Sequence, residues 1–205
     1  MRWREEVIPI VLAAGASTNL PFPKALARFG RKTALQIAIA NCRLLGRPVV
    51  VLGADARGIR RELPKSTRVI VNRQWRKGQL SSLQAALRQV PPSAAFMIYP
   101  VDHPLIRSAT IGQLLRAFCT RSASQEIVMP RHKSAYGHPV IVSAALRPEF
   151  FAAPTAREVI YRHLDRVRIL DVNTASILDD FNSPESYDRC CRKFLSRLAR
   201  SGAET

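Results

Sequence analysis

The apolar run Val11-Leu12-Ala13-Ala14 breaks at Gly15 into the small residues Ala16-Ser17, and Lys24 follows within reach. A strand that ends in small residues leaves its backbone N–H groups bare. An ammonium close by adds a fixed positive charge, and the two together suit the oxygens of a phosphate chain. A second group is Asp102-His103-Pro104, directly after the apolar run Ala95–Tyr99, with Pro100 and Pro104 bracketing the carboxylate. An aspartate so placed offers the hard oxygen that Mg²⁺ accepts, an ion that keeps several waters and takes one or two protein oxygens plus phosphate. It also suits capping a turn or the helix that begins near Ser108. The residues alone leave both readings open. The third group is Asp179-Asp180-Phe181-Asn182-Ser183-Pro184-Glu185. Ser183 as N-cap, Pro184 at the first helical position and Glu185 against the helix dipole describe a helix start. That start has no use for the side-chain oxygens of Asp180 and Asn182.

Familiar phosphate loops do not account for the first group. A Walker loop requires glycine directly before its lysine, and Phe22-Pro23 stand there; a dinucleotide fingerprint requires three glycines, and only Gly15 is present. By generic motifs the loop is either a phosphate site or a structural turn at a strand end. No Ser-His-Asp or Cys-His arrangement for covalent catalysis is visible. His103 reads as a support for Asp102 or as structural, His132 and His163 as surface residues, and Trp3 and Trp75 as marks of a pocket or an interface. Cys42 and Cys119 fall in helical patterns and the adjacent Cys190-Cys191 lack metal-site spacing, so free or buried thiols are expected.

These groups need a scaffold that brings strand ends together. Val7–Ala13, Pro48–Leu52, Val69–Val71, Ala95–Tyr99, Glu126–Met129, Pro139–Val142 and Val167–Val172 read as strands, with a turn at Tyr136-Gly137. Helices are predicted over Thr33–Leu45 and from Thr155 to Leu164, each opened by a capping box (Thr33 with Gln36, Thr155 with Glu158). Others are predicted over Ser81–Val90, Thr110–Phe118 and Pro184–Leu198. Strands that are apolar throughout, rather than alternating, imply an α/β fold: a mainly parallel, mixed sheet with helices on both faces. Ligands of such sheets bind beyond the carboxyl ends of the strands, where all three groups fall.

The 205 residues read as one domain, fraying only at Ser201–Thr205. No apolar run approaches the ~18 residues of a membrane span, and Met1–Glu6 contain no signal-like segment, so a cytoplasmic protein is expected. The net charge of +17 admits nucleic acid, small polyanions or simply an Arg-rich proteome. Aromatic residues do not interleave with the basic ones as a base-stacking sheet requires, which argues against nucleic acid.

In chain order, Leu12-Ala13-Ala14-Gly15-Ala16-Ser17 with Lys24, Gly78-Gln79-Leu80-Ser81-Ser82-Leu83, Asp102-His103-Pro104, Gly137-His138-Pro139-Val140 and Asp180-Phe181-Asn182-Ser183-Pro184-Glu185 resemble the molybdenum cofactor nucleotidyltransferase family. The similarity is strongest to its cytidylyltransferase branch and spans about residues 7–190. It implies a Rossmann-like nucleotidyltransferase fold and transfer of a nucleoside monophosphate, CMP from CTP, onto a phosphorylated acceptor such as molybdopterin, with release of pyrophosphate. On that resemblance Leu12, Ala13, Ala14 and Gly15 cradle the triphosphate and Lys24 pairs with it. Gly78, Gln79 and Ser82 lie near the base, Asp102 and Asn182 hold Mg²⁺, and His138 faces the acceptor, although packing between strands suits His138 as well. Lys24 and Asp102 would be the catalytic pair. Ala14, where the guanylyltransferase branch carries glycine, tilts the base towards cytosine. A molybdoenzyme or its chaperone would be a protein partner.

The chain departs from the family where its loop normally carries arginine and glycine, having Asn19 and Pro21, and Gly78-Gln79 lack the usual methionine. Asparagine replaces a charged five-donor clamp by one neutral amide, and proline removes an N–H. The loss is on the order of the ~3 kcal/mol of a missing oxyanion donor. Arg28 or Arg31 would have to supply the absent cation. The departures therefore also imply a second reading, a nucleotide- or cofactor-binding homologue with impaired, altered or lost transfer.

Overall fold

The structure is a computed structural model and describes residues 6–202. Trp3 and residues 203–205 of the expected frayed end lie outside them. In chain order the elements are β1 (Val7–Ala13), β2 (Arg28–Phe29), β3 (Lys32–Thr33), α1 (Ala34–Asn41), β4 (Val49–Leu52), α2 (Ala56–Arg61), β5 (Arg68–Val71) and α3 (Gln79–Leu87). Then follow β6 (Ala95–Pro100), α4 (Ser108–Cys119), β7 (Ile127–His132), β8 (Ala135–Tyr136), β9 (Val140–Val142), α5 (Glu149–Ala152), α6 (Ala156–Arg162), β10 (Val167–Asp171) and α7 (Pro184–Gly202).

The large sheet runs β10-β7-β9-β6-β1-β4-β5, with β8 paired to β7. Strands β5, β4, β1 and β6 are mutually parallel, as are β10 and β7; β9 lies antiparallel between β6 and β7. The expected mixed, mainly parallel sheet is thus present. Both faces of the central strands are covered, which is why β1, β4 and β6 are apolar throughout. Val7, Val11 and Ala13 of β1 pack with α1, α4 and α7, whereas Ile8, Ile10 and Leu12 pack with α3, α5 and α6. No helix among the described residues is long and apolar enough to cross a membrane.

The chain leaves β1 towards β4 on one side and returns to β6 on the other, so the sheet changes direction at β1. This is the switch point where a crevice opens above the strand ends. Registers Ala13↔Leu52 and Leu12↔Pro100 place the ends of β1, β4 and β6 level with one another.

Several boundaries differ from the sequence reading. The helix expected over Thr33–Leu45 ends at Asn41 and tightens into a 3₁₀ turn, Arg43–Leu45; its capping box forms, with Thr33 N donating to Gln36 Oε1 at 2.9 Å and Gln36 N to Thr33 Oγ1 at 3.1 Å. The box at Thr155 is half made: Glu158 N donates to Thr155 Oγ1, but the Glu158 carboxylate accepts from Arg162 instead. The turn expected at Tyr136-Gly137 sits earlier, at Lys133-Ser134, because Lys133 takes the left-handed conformation (φ 55°) and Tyr136 pairs back onto β7. All four cysteines are free.

Candidate active site

The crevice above β1 and β6 holds about 310 Å³ and is lined by Leu12, Ala13, Ala14, Gly15, Lys24, Gly78, Gln79, Ser82, Asp102 and Asn182. Every residue expected at the nucleotide or the metal therefore borders one cleft. His138 is not among the lining residues; it sits behind them, its ring edge-to-face against His103 with centroids 5.0 Å apart.

The loop after β1 forms the floor. Val101 N donates to Leu12 O (3.0 Å) and Ala54 N to Ala14 O (2.9 Å), which fixes the strand end against the segments after β6 and β4. A Cβ on Gly53 would lie 2.6 Å from the Ala14 carbonyl and 2.5 Å from Trp75 Cβ, so glycine there permits this close approach. Gly15 differs: a Cβ would meet nothing within 4 Å. No packing demands glycine at Gly15. What its missing side chain leaves is open space over a bare backbone, the shape a ligand needs. Ser17, left-handed at φ 53°, turns the loop back and accepts the Lys24 N–H on its Oγ at 2.8 Å.

The opposite wall is the start of α3. Gly78 has φ +92° and ψ −178°, a conformation that disfavours any side chain, and as the N-cap it brings no side chain to the first N–H groups of the helix. Asn72, at the end of β5, ties this wall together. Its amide nitrogen donates to Ser81 Oγ (2.9 Å) and Ser82 Oγ (3.0 Å), and its oxygen accepts from Gln74 N (2.9 Å). Asn72 and Thr18 carried no signal that the sequence analysis used, whereas Trp75, read there as the mark of a pocket or an interface, lines the cleft. Asn72 could have been found as the first polar residue beyond an apolar strand.

Charge gathers at Asp102. Lys24 Nζ lies 2.9 Å from Asp102 Oδ2 and also donates to Asn182 Oδ1. His103 Nδ1 lies 3.1 Å from Asp102 Oδ1. Burial opposes ionisation of Asp102, but His103 and Lys24 outweigh it and hold the carboxyl well below the usual range. Because an ionised carboxylate only accepts, the His103 nitrogen facing it carries the proton. Burial, with a further contribution from His103, pushes His138 down to about 4, so its ring is neutral near pH 7; its Nδ1 is buried and unpartnered.

Asn182 reaches the cleft from the far end of the sequence. Phe181 N donates to Asp102 O at 3.2 Å, and the fully buried Phe181 ring packs on Phe29 at 5.5 Å. Burying a phenyl group is worth roughly 1.5–3 kcal/mol, enough to pin the next residue. Ser183 accepts Ser186 N–H at 3.3 Å and starts α7 as expected, which leaves Asn182 outside the helix. Asp180 accepts from the Asn182 amide nitrogen and so directs its oxygen towards Lys24. Asp102 does not serve as the N-cap of α4, which has Arg107 there and no side-chain cap.

Of the two loop departures, Asn19 lines the cleft and Pro21 does not. Neither Arg28 nor Arg31 borders it, and both are exposed; neither replaces the missing arginine there. Trp75 forms part of the wall and carries Arg76 stacked on its ring at 4.5 Å.

The sequence profile described as MobA-like NTP transferase domain matches residues 9–168. The chain is 32% identical over 195 residues to the nicotine blue oxidoreductase of Paenarthrobacter nicotinovorans, a match covering 89% of this chain and 95% of that protein. Among solved structures, Rv0371c from Mycobacterium tuberculosis H37Rv matches with a TM-score of 0.78 and 26% identity over 92% of this chain and 98% of its own. Its manganese complex matches with a TM-score of 0.75 at 23% identity, over 91% and 98% of the two chains. A CMP:2-keto-3-deoxy-manno-octonic acid synthetase complexed with CTP gives 0.78 at only 12% identity over 94% of this chain and 100% of its own, a likeness of fold.

Proposed function

The chain belongs to the MobA-like NTP transferase family, and from that membership we propose that it is a Mg²⁺-dependent nucleotidyltransferase that moves CMP from CTP onto a phosphorylated acceptor such as molybdopterin. The observation that carries this reading is the meeting of Gly15, Lys24, Asp102 and Asn182 around one cleft from three separate chain segments. An oxygen of the acceptor phosphate attacks the α-phosphorus in line, the bond to the bridging oxygen breaks, and pyrophosphate leaves with that electron pair. The attacking phosphate is already ionised, so positioning and charge neutralisation suffice without a protein nucleophile.

Asp102 and Asn182 would hold the Mg²⁺. The fit rests on the donor set: a carboxylate oxygen and an amide oxygen already converge on one cation, the Lys24 ammonium, and hard oxygens are what Mg²⁺ takes. Among the described residues no group of three His, Cys, Asp or Glu could hold a metal. That suits an ion completed by water and phosphate. When bound, it supplies neutralisation of the triphosphate charge. Gly15 and the N–H groups beside it take the phosphates, while the bare first turn of α3, with Gln79 and Ser82, borders the nucleoside. Lys24, which neutralises Asp102 in the free cleft, turns to the phosphates when they arrive. Ala14 underlies the preference for cytosine.

The test is pyrophosphate release by the pure protein with each NTP, Mg²⁺ and molybdopterin. Asp102→Asn is expected to slow it about 100- to 1,000-fold. The second reading, a binding homologue or one with altered chemistry, is favoured by Asn19 in the cleft and by the relative named an oxidoreductase. Calorimetric nucleotide binding without pyrophosphate from any NTP would refute the transferase.

A further inference from the structure

The two oxygens of Asp102 have separate partners. Oδ2 faces Lys24, and with it the position proposed for the metal, while Oδ1 is taken by His103 Nδ1 at 3.1 Å. His103 itself is held on several sides. It is 9% exposed, its backbone N–H donates to Pro100 O at 3.4 Å, and its carbonyl accepts the buried Tyr99 hydroxyl at 3.3 Å. Its ring lies at 72° to that of His138, whose backbone N–H donates in turn to Ile177 O at 3.0 Å. A carboxylate on a short stem otherwise turns freely about its last bond. With no partner for Oδ1, both oxygens would swing towards the Lys24 ammonium, and neither would keep a fixed direction into the cleft.

We infer that His103 is a positioning residue: by holding Oδ1 of Asp102 it aims Oδ2 at the divalent ion, and His138 buttresses its ring from behind. The inference rests on the reading of Asp102 and Asn182 as the metal ligands and adds a role that the reading does not assign. His103 acts through Asp102 and takes no proton from substrate. Partners that orient a ligating carboxylate in this way matter nearly as much as the ligand, and their loss costs about 10- to 100-fold in metal affinity.

Two amide variants separate positioning from mere packing. His103→Asn places its amide nitrogen where Nδ1 stands, whereas His103→Gln places it near Nε2, beyond Oδ1. Both keep a buried amide, so their thermal midpoints are expected to agree within about 5 °C. Mn²⁺ binding in the presence of CTP, followed by electron paramagnetic resonance, is the readout. His103→Gln is expected to weaken Mn²⁺ by about 10- to 100-fold, while His103→Asn stays within about threefold of the wild type. Equal Mn²⁺ affinity in the two variants would overturn the inference while leaving the metal site standing. Failure of the wild type to bind Mn²⁺ with any nucleotide would overturn the metal site itself, and the inference with it.

Discussion

Lys24 sits between the two oxygens proposed for the metal, so its removal has effects of opposite sign on two ligands. In Lys24→Met the free protein loses an ion pair whose side chains are 21% and 20% exposed. Solvent screening at that exposure reduces the loss to about 1 kcal/mol, which leaves the protein folded. The triphosphate loses a charged hydrogen-bond donor worth about 1.5–3 kcal/mol, so CTP should bind roughly 10- to 100-fold more weakly. Bare Mn²⁺ behaves the other way. In the wild type it must displace the ammonium from Asp102 Oδ2 and Asn182 Oδ1, a cost of about 1–2 kcal/mol that the variant does not bear. Mn²⁺ without nucleotide should therefore bind Lys24→Met about tenfold more tightly. Titration calorimetry with Mn²⁺ alone and then with CTP measures both. Unchanged or weaker Mn²⁺ binding in the variant would refute the idea that the lysine and the metal compete for the same oxygens.

Two further outcomes follow from the cleft. Gly15→Ala and Gly15→Val should leave the thermal midpoint within a few degrees, because a Cβ meets nothing within 4 Å, yet weaken CTP binding progressively, by about tenfold or more for valine; a loss of stability with intact binding would mean that the open space serves folding. His138 offers a pH signature. Its neutral form is favoured in the folded chain, with its titration pushed down to about 4, chiefly by burial and then by His103, against a small opposing effect of Asp102. The unfolded chain takes up the proton near 6.5, so this contribution to stability is complete above that pH and declines as pH falls towards 4. The full difference corresponds to about 3 kcal/mol. Urea unfolding between pH 4 and 7.5 should show a shallower acid slope for His138→Phe than for the wild type, and identical slopes would rule the assignment out.

The parts of the fold that sequence made legible are those whose pattern repeats a physical constraint. Strands β1, β4 and β6 are buried on both faces, and continuous apolar runs follow from that. The helix α2 was missed because Ala56–Arg61 buries only Ile59 and begins from a left-handed Asp55, offering no apolar stripe and no cap. The hairpin β2–β3 has two residues a side and escapes any periodicity. At the site, residues beside a strand end, such as Gly15 and Asp102, could be read from position. Asn182 joined Asp102 only through the family's motif order, since their meeting depends on Phe181 seating its ring in a core built from distant residues. The carboxylate's division between His103 and Lys24 had no sequence signal, because it is a matter of which oxygen faces which neighbour.

The reversed strand β9 has a consequence for how such a protein changes over time. It separates a parallel half, β5-β4-β1-β6, from a second half, β7 with β10, that is joined to the first within the sheet only through β9. Substitutions on the rim of β7 and β10 can change that edge of the sheet without disturbing the hydrogen bonds under Gly15 or Asp102. Diversification among descendants of such a chain should concentrate beyond β9, with the half that carries Gly15 and Asp102 inherited nearly unaltered.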